Sequence, residues 1–509
     1  MFRHFAPARA IFLLLSFAAI AAVRAEDPAP AGQGAAPLAL EQCVAQALAK
    51  NFTVKIQTYS VDQAKAGVII AQSVYDPVFG VSWLKTVTLS PPLSGIVTPE
   101  VGVPTAISIP ASLYNDQSTT ATITQPVITG GTITATYELS RDATFPAESV
   151  PNPAFLGNSS LTVIQPLLQG AGTDYNRAVI ERARLGQKIA GLNFKSSVLT
   201  TILNVETAYY NLIFARRQYA VAQDTLRLAQ ELLEENTIKR KTGVLTDLDV
   251  VQAEAGVATA KSQLIGFKQT MDNAEDTLLQ ALGEREFKIA VGPVDFPPLP
   301  DIAVTFDLSY KLARDNGPNL AIIEATIAQY KLDALRAKRN NLPQLNATGG
   351  LGYSSADPSY QGANSNLWPG AGYNWTAGLT LSIPWGMRSN RALYRQAMDN
   401  VNSEQVSLDQ TDQTLVVNVR SAVRAVQASV ESVAAAGAAA TLSQKQYDLQ
   451  KAKFDAGLAT SYDVLQAQNQ LESARVAEIQ AQVGLRVALA NLSFLEGTSP
   501  SLYRVNVQG

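Results

Sequence analysis

The strongest constraint on this chain is a short word that occurs twice, far apart, in the same kind of setting. The segment KTGVLTDLDVVQA, Lys241 to Ala253, returns as GLATSYDVLQAQ from Gly457. At one constant offset Gly243/Gly457, Thr246/Thr460, Asp249/Asp463, Val250/Val464, Gln252/Gln466, Ala253/Ala467 and Ala260/Ala474 coincide. Seven identities fall in eighteen positions, where unrelated sequence gives roughly one. The same offset superposes Asn176-Arg177-Ala178 on Asn390-Arg391-Ala392, Asn204-Val205 on Asn418-Val419, and Gly283 on Gly497. The chain is a tandem duplication.

Both words lie inside stretches without proline, residues 167–292 and 385–499, although the chain has 25 prolines. Proline costs ~3 kcal/mol in a helix interior, so long helices are predicted there. Within each stretch the word marks a helix end followed at once by a helix start. Gly243 and Gly457 supply the left-handed conformation that terminates a helix. Three residues on, Thr246-x-x-Asp249 and Thr460-x-x-Asp463 have capping-box spacing, with Asp as a shorter version of the usual Glu. A helix from about Asn390 to Asp455 would be roughly 100 Å long at ~1.5 Å per residue. The returning helix, about 460–495, covers half of that. Segments 51–75 and 319–341, which precede the corresponding Pro77 and Pro343, fit the other half. The predicted unit is a long helix lying beside two shorter ones stacked end to end.

Residues 1–25 carry Arg3 and Arg9, an apolar run from Ala10 to Ala22, and Val23-Arg24-Ala25 as a small-residue cleavage site, which reads as a secretory signal peptide. Residues 26–37, rich in Ala, Pro and Gly, read as a flexible leader. The only histidine, His4, leaves with the signal, and Cys43 is the only cysteine, so His-based catalysis, His- or Cys-ligated metal sites and an internal disulfide are excluded. No nucleophile elbow, phosphate-binding glycine loop or H-E-x-x-H is present. These features argue against an enzyme, and no cofactor or metal is expected. A net charge of −3 with both signs mixed gives no basis for a nucleic-acid partner.

Between the helical stretches the period changes to two. Leu379, Leu381 and Ile383 share one face, with Thr380 and Ser382 on the other, and Leu345, Ala347, Leu351 and Tyr353 alternate with polar residues and glycines. Phe79, Val81, Trp83, Val87 and Leu89 share a face interrupted by Lys85, and a further strand begins at Leu161 and Val163. Each repeat therefore predicts a strand pair. The first repeat alone adds a hairpin, residues 119–128 and 132–140 around Gly130-Gly131, which is either part of the same sheet or an outward loop decoration. Long connections, about 91–117 and 355–372, lie on one side only, as in transmembrane barrels. Trp83, Trp368, Tyr373, Trp375 and Trp385 near strand ends suit the aromatic borders of a membrane belt, although soluble sheets share the alternation. Four strands, or six, cannot close a barrel when the smallest single-chain barrels have eight, and lipid does not tolerate an open edge. If the strands span a membrane, several chains contribute to one barrel.

This order of helix, strand pair, long helix, GxxTxxDV turn and returning helix, given twice from about Leu38 to Gly497, resembles the outer-membrane efflux proteins typified by TolC. The resemblance implies a mainly α fold with a membrane β-barrel portion: tandem-duplicated long helices forming a trimeric α-barrel tunnel, capped by a shared transmembrane β-barrel of twelve strands. It implies a homotrimer in the outer-membrane lipid with its tunnel in the periplasm, a passive exit duct for an efflux pump or type I secretion system. The partners implied are a periplasmic adaptor and an inner-membrane transporter. Carried over position by position, Gly243, Thr246, Asp249, Gly457, Thr460 and Asp463 belong to the periplasmic tips where the adaptor docks. Asp463 and Gln466 are gate candidates, Gln466 standing where the best-known family member has a second carboxylate. The expected division is a first repeat over 38–283, with strands at about 78–166 and a helical hairpin at 174–283. A linker at 284–305, part of a belt around the tunnel's middle, leads to a second repeat over 306–497, with strands at about 344–385 and a hairpin at 389–497. A tail follows at 498–509.

Two other readings compete. A soluble periplasmic coiled-coil adaptor or structural protein accounts for the helices and leaves the alternating strands unexplained. A conventional porin accounts for the strands and leaves the helices without a role.

Overall fold

The computed structural model describes residues 38–97, 105–146, 151–287, 291–292, 294–298, 304–368 and 372–504. The expected signal peptide (1–25) and leader (26–37) lie outside the described residues, as do parts of the 284–305 segment and of the tail.

The first repeat begins with α1 (Leu40–Lys50) and α2 (Phe52–Gln72), which ends in a 3-10 turn at Ser73–Tyr75. Seven strands follow: β1 (Val78–Ser90), β2 (Leu93–Val97), β3 (Thr105–Ile109), β4 (Ser112–Pro126), β5 (Thr132–Asp142), β6 (Thr144–Phe145) and β7 (Ala154–Pro166). Then come α3 (Thr173–Lys241) and α4 (Asp247–Leu282). The second repeat runs α5 (Phe306–Asn316), α6 (Pro318–Asn340), β8 (Gln344–Asp357), α7 (Tyr360–Leu367), β9 (Gly372–Ser382), α8 (Arg388–Asp455) and α9 (Ser461–Glu496), and α10 (Ser499–Leu502) closes it.

The 69 residues of α3 extend over roughly 104 Å. Beside it α2 and α4 are stacked end to end, and α6 and α9 stack in the same way beside α8. The joints show how. Gly283, at φ 76°, ends α4 directly against the α1–α2 junction, where an added Cβ would come within 2.9 Å of the Lys50 and Asn51 backbone. Its repeat partner Gly497, at φ 68°, meets the Asn316 backbone just as closely at the α5–α6 junction. Each joint therefore requires a residue with no side chain and a left-handed backbone.

The largest apolar core surrounds the first joint. Cys43, Val44 and Ala47 of α1 pack on Ile202, Val205, Leu212 and Ile213 of α3 and on Leu278 and Leu282 of α4. A smaller one, with Ala313, Val419, Val423, Val426, Leu485 and Leu492, lies at the second joint. The described part of 284–305 wraps the middle of α3: Arg216 donates to the carbonyls of Gly292 (2.6 Å) and Val291 (2.8 Å). Phe296 lies under the guanidinium groups of Arg217 and Arg486, at 4.2 and 3.9 Å from its ring centre.

The strands form one antiparallel sheet in the order β1-β4-β5-β7-β8-β9, with β6 paired to β4 and a separate β2-β3 ribbon. The first repeat's extra hairpin takes the first of its two alternatives, a place in the same sheet. The β4-β5 hairpin is no outward decoration: it stands between β1 and β7, and its turn faces the helices. The Gly172 N–H donates to the Thr129 carbonyl (3.1 Å), Thr129 donates to Gln165 Oε1 (2.8 Å), and Gln125 donates to the Tyr75 carbonyl (2.7 Å). The other end of the sheet carries the long connections, and these are more ordered than their composition predicts. The β2-β3 ribbon occupies part of 91–117, and β4 begins there, at Ser112; α7 occupies part of 355–372.

Candidate functional site: the paired helix turns and the sheet

The α3–α4 and α8–α9 turns are built alike. At the first, Thr242 ends α3 and Gly243 follows at φ 77°; its N–H donates to the Arg240 carbonyl (2.9 Å), and the Val244 N–H to the Lys239 carbonyl (2.9 Å). At the second, Gly457 (φ 72°) and Leu458 make the same two bonds, to Phe454 (3.1 Å) and Lys453 (2.8 Å). These are the paired bonds of a Schellman termination. The next helix starts with a closed capping box in each case. The Thr246 N–H donates to Asp249 Oδ2 (3.0 Å) and the Thr460 N–H to Asp463 Oδ2 (2.8 Å), and each Asp N–H returns a bond to the threonine hydroxyl. The Thr460 hydroxyl also donates to Asp463 Oδ2 (2.7 Å), and these bonds to the ionised form hold the Asp463 carboxyl below the usual carboxylate range.

The two turns sit at one end of the molecule because Asn236 of α3 holds both. It is fully buried and donates from Nδ2 to the Asp249 carbonyl (3.0 Å) and to the Ser461 hydroxyl (2.6 Å). Beneath it Leu232, Phe454 and Val464 form a small core. Around that core Glu235 pairs with Lys239 (2.7 Å) and with Lys451, which also reaches Asp455 (3.2 Å). Further from the tip, buried Gln468 donates to the Thr225 carbonyl (2.9 Å), and Arg475 pairs with Asp224 (2.9 Å). The bonds Asn236–Ser461, Glu235–Lys451, Gln468–Thr225 and Arg475–Asp224 join residues of different repeats, so nothing in either repeated word signals them. The one local sign is that Asn236 is a polar side chain on the packed face of α3.

Gln466 is exposed and shares a polar groove of about 560 Å³ with Ser443, Asn469, Gln470 and Ser473. The tips also present apolar side chains to solvent: Val244, Leu248 and Val251 on one turn, Leu458 and Tyr462 on the other.

At the other end of the molecule the sheet register sorts side chains by face. One cross-strand row reads Phe79, Ile123, Ala135, Leu161, Leu351, Trp375, and the row beside it on the opposite face reads Gly80, Thr122, Thr136, Ser160, Gly352, Asn374. The apolar face reaches its border toward the loops at Lys85 and Arg141, which share one row through Gln117. Trp375 lies three residues inside β9 and Trp83 mid-strand in β1, whereas Trp385, fully exposed, lies beyond the helix end of β9. Near the loop end α7 rests on the apolar side: Tyr360 meets Phe155 edge-on at 4.4 Å, and Tyr137 hydrogen-bonds Asn364. Among the described residues neither edge strand, β1 nor β9, has a neighbour on its outer side.

Among the described residues no helix is long and apolar enough to cross a membrane, and no group of His, Cys, Asp and Glu side chains could hold a metal ion. The sequence pattern of the family described as "Outer membrane efflux protein" matches residues 153–284 and 309–498. Outer membrane protein TolC of Escherichia coli (strain K12) is 25% identical over 332 residues, covering 62% of this chain and 65% of the relative. The match thus spans a little under two thirds of that protein. Among solved structures, the outer-membrane channel OprN superposes with a TM-score of 0.66 at 17% identity, over 90% of both chains. The Campylobacter jejuni CmeC outer membrane channel gives 0.66 at 17% identity, over 90% of this chain and 86% of that one. At those identities the structures establish the fold, and the matched pattern, which covers more than half of the chain, establishes the kinship. The chain belongs to the outer membrane efflux protein family and is an outer-membrane protein.

Proposed function

We propose that three copies of this chain join their sheets into one barrel in the outer membrane and their helices into one tunnel through the periplasm. The assembly is a passive exit duct for an efflux pump or type I secretion system. The observation that carries this is the sheet: one face apolar, one polar, and two long edges to which none of the described residues is bonded as a further strand. In hydrocarbon each unsatisfied backbone group costs several kcal/mol, so β1 of one protomer must meet β9 of the next until the ring closes. Three is the number that the family resemblance implies. A soluble adaptor would leave that apolar face to water.

At the far end we assign the turns Gly243–Asp249 and Gly457–Asp463 to contact with a periplasmic adaptor that links the duct to an inner-membrane transporter. Their exposed Val244, Leu248, Leu458 and Tyr462 support this, since apolar side chains gathered at a helix tip suit a protein partner. Asp463 and Gln466 are proposed to line the mouth.

The test is the mass of the detergent-purified protein. Three protomers are expected, and a stable monomer with its strands intact would remove the shared barrel. In the same preparation Gly457→Val should leave the trimer and its membrane insertion unchanged and weaken adaptor capture, because a β-branched residue is strained at φ 72°. Undiminished capture would refute the docking assignment.

A further inference from the structure

We infer that all six long strands stand in the barrel wall, so that the threefold assembly closes at eighteen strands rather than twelve, around a wide polar lumen. This rests on the shared-barrel reading above and goes beyond it in fixing the width of the duct and the class of cargo its membrane section admits.

Three observations carry it. First, β4 and β5 are bonded on both sides. β1 pairs with β4 along its whole length from Val78 to Ser90, β4 with β5 from Gln117 to Pro126, and β5 with β7 from Thr132 to Asp142. The hairpin stands between β1 and β7 in the sheet order, so it cannot leave the wall without opening two ladders. Second, the alternation of faces passes through the hairpin without a break. Ile123 and Ala135 continue the apolar row, and Thr122 and Thr136 continue the polar one. A hairpin outside the membrane has no reason to keep an apolar face in register with its neighbours. Third, the Val127–Gly131 turn is fastened to the strand–helix junction at Gly172, Gln165 and Tyr75, the side from which the other strands return to helices. A loop decoration would lie at the opposite end.

The added hairpin changes the bore. For strands ~4.8 Å apart tilted by ~40°, twelve close at a backbone diameter of about 24 Å and eighteen at about 36 Å. The polar face carries small side chains, Thr122, Thr124, Thr134, Thr136, Ser160 and Thr162, so little of that width is filled. Its carboxylates on β4 and β5 are Glu138, near mid-strand opposite Thr120, and Asp116 and Asp142, toward the loop end. The membrane section therefore admits hydrophilic cargo that is wider than a single extended chain. Selection by size falls to the helix tips.

Two measurements on the full-length protein in lipid nanodiscs test this. Mass gives the number of protomers, and electron microscopy of the barrel cross-section counts its strands. Three protomers with eighteen strands is the expected result. Three protomers with twelve strands overturns the inference and leaves the shared barrel standing, whereas a monomer removes the shared barrel itself. Thiol labelling supplies a second arm, since the one native cysteine, Cys43, is buried. A charged, membrane-impermeant reagent should modify Thr122→Cys and Thr134→Cys at least tenfold faster than Ala121→Cys and Ala135→Cys. Equal rates at all four positions would show the hairpin in water on both faces and overturn the inference.

Discussion

Asp463, proposed to line the mouth, is first of all the carboxylate that closes a helix turn. Its Oδ2 accepts from the Thr460 N–H and hydroxyl, which fixes the side chain against its own helix start. In a trimer the residue recurs three times around one axis. Like charges in a narrow mouth repel each other, attract cations, and are only partly screened at physiological salt. Asp463→Asn retains an oxygen for the Thr460 N–H, so single-channel recordings should show lower cation selectivity with the turn intact. Gln466→Asp adds a carboxylate one turn along the same side of α9 and should tighten block by divalent cations. Unchanged selectivity in the first variant together with unchanged block in the second would remove both residues from the mouth. The capping role of Asp463 is legible in sequence because every partner lies within three residues. Asn236 is invisible there, since one of the groups it holds belongs to the other repeat, 225 positions away.

Helices and their ties come next in scale. The proline-free runs gave away the four long helices, because helix interiors exclude proline whatever packs around them. Glycine and Thr-x-x-Asp marked the turns between them. The ordered pieces of the long loops escaped notice: α7 is only eight residues long, and its hold on the sheet comes through Tyr360, Asn364 and Ala363 meeting residues of β5, β7 and β8. What fastens α3 to α8 is the cluster around Glu235. Burial pushes that carboxyl up, but the hydrogen bonds from Lys239 and Lys451 outweigh it and hold it well below its ordinary 4.5. A depressed folded value means that the tie is fully present above pH 4.5 and fades as pH falls toward the folded value. Lys451 is raised by the same bonds against the opposing effect of burial, so its share persists to at least its ordinary 10.5. Glu235→Gln should therefore speed hydrogen exchange at the start of α9 at pH 7, and this excess should shrink when the variant and wild type are compared near pH 3. A pH-independent gap would mean that the side chain acts through packing alone.

At the scale of the whole molecule, the sequence shows period-two segments and cannot rank their neighbours, because register across a sheet depends on residues more than a hundred positions apart. The β7–β8 ladder, in which Ser159 faces Tyr353, joins the two repeats into one sheet. The extra hairpin was legible as a hairpin; its place between β1 and β7 was not. The unpaired β1 and β9 edges then bear on how the protein comes to exist at all. If the proposed shared barrel forms, a protomer that has not yet met its partners exposes two sticky strand edges and an apolar sheet face, the features that drive misassociation. In the proposed trimer, productive closure needs three such molecules to meet, so refolding into detergent should be more than first order in protein concentration. A first-order, concentration-independent rate would mean that the edges are already satisfied within one chain. Biogenesis is thus a race between correct edges and wrong ones, and a cell gains by keeping the free protomer scarce, escorted or short-lived.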